Sequence, residues 1–239
     1  MNLYRLSGTI LLCVSAFAAD TPKAQVVDSG SFGIMVNGRR VATEEFRMEQ
    51  RENGNLVSSR LKMEDPALKA AQTAEMEIGV DGSLRRYTWK EVSPGKAQIV
   101  VTPDEAFLSL KMTDSDGTAP RDSMHPLSAM TPILDDNFFS HIEVLMWRYL
   151  AASCRPAAGG SECRYGEQKM PILNPHQQQS MVITVNYVGE QKMRYKGTEQ
   201  AYRAFKFQTE NGDWMLWVDT QNKLIRVLIS AESTEVLRD

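Results

Sequence analysis

The sequence predicts a mainly β protein: a strongly curved antiparallel sheet or partial barrel with one amphipathic helix packed on it. Three observations carry this. Hairpin-type dipeptides recur at Asn37-Gly38, Asn53-Gly54, Asp81-Gly82 and Asn211-Gly212, and such pairs accept the positive φ that tight turns demand. Between them lie alternating or apolar runs of strand length. A single segment, DDNFFSHIEVLMWRYL from residue 135, has a helical period instead.

The chain opens MNLYRLSGTILLCVSAFAAD. Arg5 precedes a short apolar run, and Ala16-Phe17-Ala18 is a small-x-small cleavage site, so residues 1–18 read as a signal peptide. The run is short for a transmembrane helix. Leu12 before Cys13 argues against lipidation at that cysteine. The expected destination is the periplasm or the exterior. What remains, 25–239, is expected to form one β-rich domain with a helical connection at about 127–152.

Strands are expected over 31–36, 39–48, 56–63, 74–80, 84–92, 97–102 and 106–112, then over 181–188, 191–195, 202–208, 213–219 and 223–230. The stretch 233–237 is expected to add an edge strand. DSDGTAPRDSMHP, from Asp114 to Pro126, reads as a loop. Without βαβ alternation, successive strands should be antiparallel neighbours. The helix is expected over about 135–151, with Phe138, Ile142, Leu145 and Tyr149 on one face. Asp135 or Asp136 is the expected cap. Cys154 and Cys163 flank a turn-rich loop, and in an oxidising compartment they read as a disulfide.

The formal charge of −3 becomes about −4 without Arg5, 26 basic residues against 30 acidic. No Lys/Arg run stands out, which disfavours nucleic-acid binding. No later segment is apolar for long enough to span a bilayer. His125, His141 and His176 are scattered without ligand spacing, so no metal is expected. No cofactor motif is present, and neither is a nucleophile elbow.

One stretch has catalytic spelling. Val26-Val27-Asp28-Ser29-Gly30-Ser31 reads like the loop of an aspartic protease, which makes Asp28 a candidate catalytic carboxylate. It lies close to the expected cleavage site, and no second Asp-Ser/Thr-Gly follows. The competing expectation is a turn ahead of the first strand. Glu44-Glu45 reads as a solvated hairpin. The aromatics offer other material. Trp147 falls on the helix, while Trp214 and Trp217 fall on opposite faces of one strand. With numerous methionines, they are candidates to line an apolar pocket.

The pattern Phe205-Lys206-Phe207, then Gly212-Asp213-Trp214-Met215-Leu216-Trp217-Val218-Asp219, then Lys223-Leu224-Ile225-Arg226-Val227, follows the Asp136-Asn137-Phe138-Phe139-Ser140-His141-Ile142 helix. It resembles exported bacterial β-rich domains of unknown function, similar in architecture to periplasmic carriers of lipoproteins and other lipids. The resemblance covers 135–230. It implies a sheet curled into an incomplete barrel around helices, with the concave side holding acyl chains, and it carries over no catalytic residue. The function expected is non-enzymatic binding of an apolar ligand such as lipid. The alternatives are a structural or interaction protein of the envelope and a hydrolase using Asp28.

Overall fold

The computed structural model describes residues 24–239 except 66, 68, 69, 117, 158, 159 and 211. The signal-peptide segment 1–18 and Asn211 lie outside the described residues. The first half of the chain forms β1 (Gln25–Val36), β2 (Arg39–Arg51), β3 (Gly54–Met63), β4 (Ala71–Gly79), β5 (Leu84–Ser93), β6 (Gln98–Asp104), β7 (Phe107–Thr113) and β8 (Arg121–His125). Helix α1 (Ser140–Ser153) follows, then a small hairpin of β9 (Cys154–Ala157) and β10 (Gly160–Cys163). The second half is β11 (Gln168–Asn174), β12 (Gln179–Tyr195), β13 (Thr198–Thr209), β14 (Gly212–Val218), β15 (Leu224–Ile229) and β16 (Thr234–Arg238).

All but the small hairpin belong to one antiparallel sheet of 14 strands, ordered β11-β12-β13-β14-β15-β16-β1-β2-β3-β4-β5-β6-β7-β8. Every neighbour along this order is the next strand in the chain, except where β16 meets β1. The chain's end therefore zips onto its beginning in mid-sheet, with Val236 opposite Ile34 and Leu237 opposite Gly33. The expected edge strand at 233–237 is instead the seam joining the two halves. Its alternation, with Thr234, Val236 and Arg238 buried, suits a strand paired on both sides.

The sheet is open because β8 and β11 do not pair. β8 nonetheless approaches β12, the neighbour of β11: His125 Nδ1 lies 3.3 Å from Ser180 Oγ. Residues 126–139, α1 and the β9–β10 hairpin occupy the chain between the two edges.

Three expectations need correction. The loop expected over 114–126 ends in β8, which pairs with β7 from Met112–Arg121 to Leu108–His125. Asp28-Ser29-Gly30 is no turn, since it pairs within β1 against Met48, Arg47 and Phe46 of β2, next to a bulge between Val26 and Asp28. The runs expected at 181–188 and 191–195 are one strand, β12, with its irregularity at Tyr187–Gly189. Gly189 has φ of +124° there, which a side chain would resist.

The helix starts later than the periodicity suggests, and neither aspartate caps it. Its N-cap is Phe139, with no capping side chain of its own. Asp135 instead accepts from the Asn137 N–H at 2.9 Å in a local turn. Seven consecutive helical residues, Ser140 to Met146, are buried. An amphipathic helix lying on a flat sheet would expose one side; the first two turns of α1 expose none.

The main core fills the face against α1: Phe32, Phe46, Tyr87, Leu108 and Leu110 from the first half meet Phe205, Phe207, Leu216 and Val227 from the second. A smaller apolar cluster of Tyr202, Ala204, Trp217 and Ile225, packed by Met193 and Tyr195, lies apart from it. These residues alternate with the core-facing ones, so they stand on the sheet's other face. The far end of the β12–β13 hairpin reaches them: Gln191 Oε1 accepts from Trp217 Nε1 at 3.0 Å.

Cys154 and Cys163 form a disulfide, S–S 2.08 Å, across the β9–β10 pair. It closes a short loop, so replacing both cysteines by alanine is expected to lower stability by about 2 kcal/mol. Urea denaturation of the oxidised protein against the variant measures this.

Candidate functional site

Helix α1 and the segment leading into it are fastened to the sheet by three buried polar contacts, two on the helix itself and one on Asp135 ahead of it, which are not recognisable as a motif in the sequence. The first is at the helix N-terminus. The Phe139 N–H donates to Glu44 Oε2 at 2.6 Å and the Ser140 N–H to Glu44 Oε1 at 3.2 Å. Free N–H groups and the helix dipole favour a carboxylate here, and β2 supplies it from 95 residues away. Ser59 Oγ and Ser140 Oγ lie 2.7 Å apart beside it. Burial pushes Glu44 up to about 7, against the hydrogen bonds from Ser140, Phe139 and Ser59. The solvated reading of Glu44-Glu45 therefore fails for Glu44, which is 0% exposed. Alternation carried the clue: Glu44 is in phase with buried Ala42, Phe46 and Met48.

The second contact centres on Arg238. Its guanidinium donates from Nη1 to Glu143 Oε2 of α1 at 3.0 Å and from Nη2 to Asp28 Oδ2 at 2.5 Å. Lys223 Nζ lies 2.9 Å from Asp28 Oδ1. Burial raises the Asp28 pKa, but hydrogen bonds with Glu143, Lys223 and Arg238 outweigh it and leave the carboxyl lowered. Burial and the Asp28 carboxylate push Glu143 up to about 9, with Arg238 opposing. The third contact is Asp135, which accepts from the Tyr87 hydroxyl and stands 3.0 Å from His176 Nδ1. Burial would raise Asp135, but His176, His141 and Tyr87 lower it. His141, packed against Tyr87 and Phe138, is held down to about 4 by burial, against the attraction of Asp135.

Two hollows flank the helix. One, of about 350 Å³, lies at the helix N-terminus. Its walls are mostly apolar, among them Ile34, Leu61, Met63, Phe139, Met181 and Trp214. Polar residues Asp136, Asn137, Asn174 and Gln177 also border it, and Gln177 Nε2 donates to Asp136 Oδ2 at 2.8 Å. The second, of about 980 Å³, is a cleft at the other end of α1, beside the disulfide hairpin.

The three tryptophans singled out as pocket-lining candidates are dispersed. Trp214 borders the apolar hollow. Trp147 borders the second cleft, its Nε1 donating to the Asn222 carbonyl at 2.8 Å. Trp217 belongs to the cluster on the opposite face, under the Arg226 guanidinium at 4.8 Å. The structure therefore brings none of them together. Asp28 is placed in the Arg238 cluster, where both of its oxygens face cations. Glu143 is a second carboxyl hydrogen-bonded to it, but both side chains are almost fully buried and cations take both Asp28 oxygens, whereas a protease dyad shares its proton around an attacking water. Among the described residues no three His, Cys, Asp or Glu side chains converge as a metal site, and no helix is long and apolar enough to cross a membrane. No protein family model, curated protein or solved structure matches this chain.

Proposed function

We propose that this chain is an exported envelope protein that binds an apolar ligand such as a lipid, without catalysis. The observation that carries the reading is the hollow of about 350 Å³ between residues 134–139, which lead into α1, and the sheet, with mostly apolar walls and polar residues among them that include Asp136 and Glu232. That is the usual chemistry and scale of a small-molecule site. In this reading the sheet is strongly curved, a partial barrel with α1 as its plug. The helix buried on all sides over two turns and the approach of β8 to β12 support it. The disulfide and the signal-like N-terminus support export.

The test is native mass spectrometry of the protein purified from the periplasm, followed by solvent extraction. A stoichiometric apolar adduct is the expected result, and a clean apo mass would count against the reading. A second check fills the hollow. Ala42 lines it, and Ala42→Phe is expected to weaken binding of dansylundecanoic acid at least tenfold. Stability should change by less than about 2 kcal/mol, because the added ring enters existing space. Unchanged affinity would place the probe elsewhere.

A structural or interaction role is the second reading, favoured by one observation: among the described residues β8 is a sheet edge paired on one side only, and Met124 on it is 49% exposed. An unpaired edge is a template for strand addition. The hydrolase reading would require acid proteolysis that Asp28→Asn abolishes.

A further inference from the structure

The second cleft has a charge balance that the apolar-ligand reading does not use. Arg155, Arg203 and Lys223 border it, and Asp28 is its one carboxylate. That carboxylate is already shared between Lys223 and Arg238, so the cleft carries an excess of positive charge.

Arg203 is the telling residue. It sits on β13 in phase with buried Phe205 and Phe207, so its side chain leaves from the core side of the sheet. The guanidinium is held by neutral acceptors only. Nη2 donates to the Asp219 carbonyl and to Asn222 Oδ1, and Nη1 is 3.4 Å from the Tyr165 hydroxyl. Among the described residues no carboxylate pairs with it. A part-buried guanidinium is normally neutralised by an acid. Here the hydrogen bonds go to a carbonyl, an amide and a hydroxyl oxygen, its cross-strand neighbour Glu190 on β12 makes no ion pair with it, and with five N–H groups it has donors to spare. Aromatic surface completes the cleft: Trp147, anchored through its Nε1 to the Asn222 carbonyl, and Tyr165, tilted against Tyr187 with ring centroids 4.1 Å apart.

We propose that this cleft is a binding site for a small organic oxyanion, a phosphate or carboxylate carrying an aromatic or apolar group. Arg203 and Lys223 receive the oxyanion, Arg155 on the disulfide hairpin adds long-range attraction, and Trp147 and Tyr165 cover the attached group. A guanidinium with pre-set orientation suits such an anion because little side-chain freedom is lost on binding. The site is independent of the apolar hollow at the other end of the helix.

Isothermal titration of the mature protein with phenyl phosphate, benzoate and phenol tests this. Saturable binding of one or both anions, with phenol silent, is the expected result, and the tighter anion identifies the head group. Arg203→Met should weaken it roughly tenfold or more, as loss of a charge-assisted hydrogen bond does. Because Arg203 also holds the 219–222 turn, Arg155→Gln on the exposed hairpin is the second variant. It should weaken binding several-fold with an unchanged circular dichroism spectrum. Equal binding of phenol, no binding of either anion, or unchanged affinity in both variants would overturn the proposal.

Discussion

Replacing Arg238 by methionine is expected to cost about 3–5 kcal/mol, the usual effect of removing one partner from a buried ion pair. The Asp28 carboxylate on β1 depends on this guanidinium, with Lys223 on its other oxygen. Glu143 on α1, pushed up to about 9, accepts from it as a protonated carboxyl. Asp28, Glu143 and Arg238 are all almost fully buried. Methionine retains some contact with Phe46 and Phe32, over whose rings the guanidinium lies at 4.9 and 5.7 Å. The loss should therefore be mostly electrostatic. Against a typical total of about 5–15 kcal/mol, it would bring the protein close to unfolding at ordinary temperature. Urea denaturation measures the effect. The triple variant Asp28→Asn, Glu143→Gln, Arg238→Met should recover most of the loss, because neutral groups in the same space need no cation. A single variant within 1 kcal/mol of the wild type would mean that the cluster does not hold the helix to the sheet.

The stability difference between wild type and Glu44→Gln is expected to fall by about 3 kcal/mol as pH rises from 4.5 to 7. Glu44 is fully buried and its pKa is raised from 4.5 to about 7. A carboxyl that holds its proton more tightly when folded contributes stability that is complete below the unfolded pKa. That contribution is lost as pH rises through the folded pKa. About 2.5 pH units at 1.36 kcal/mol each give the magnitude. Glutamine does not titrate and keeps an acceptor for one of the two helix N–H groups, so its own cap is independent of pH. His141 acts in the opposite sense. Its folded pKa near 4 is below the usual histidine value, so its unfavourable contribution grows as pH falls from 6.5 to 4. That term is common to both proteins and cancels in the difference. Melting temperatures of the pair across pH 4 to 8 are the measurement, and a difference independent of pH would show that the carboxyl is solvated.

Glu44 also shows where reading the sequence stops. Its place in the alternation of β2 marks it as inward-facing, but nothing local says what an inward carboxylate meets. The partner is the start of a helix 95 residues later, and of the two aspartates ahead of that helix Asp135 is engaged in a local turn and a buried contact and Asp136 bonds Gln177. Asp28 is a similar case. A pattern of residue types suggested either a protease loop or a turn, and the pairing with β2, Arg238 and Lys223 makes it part of a strand. Arg238 carries no local signal, because its role exists only once β16 lies beside β1. The tryptophans divide the same way: period-2 spacing put Trp214 and Trp217 on opposite faces, but only the folded β12–β13 hairpin shows what covers Trp217.

The sequence by itself determined what short-range physics controls. Turn dipeptides and alternation placed most of the strands, the 3.6-residue period placed the helix but set its start about five residues early, and two cysteines across a turn-rich loop identified the disulfide. Those signals act within a few residues, where φ preference and side-chain direction decide the outcome. The tertiary structure decided the rest: the seam between β16 and β1, the short strands β8 and β11 flanking the opening, the carboxylates that clamp the helix, and the two hollows at its ends. Each depends on groups far apart in the chain meeting in a low-dielectric interior, where a charge must find a partner or change its protonation, and no local pattern encodes which partner that will be.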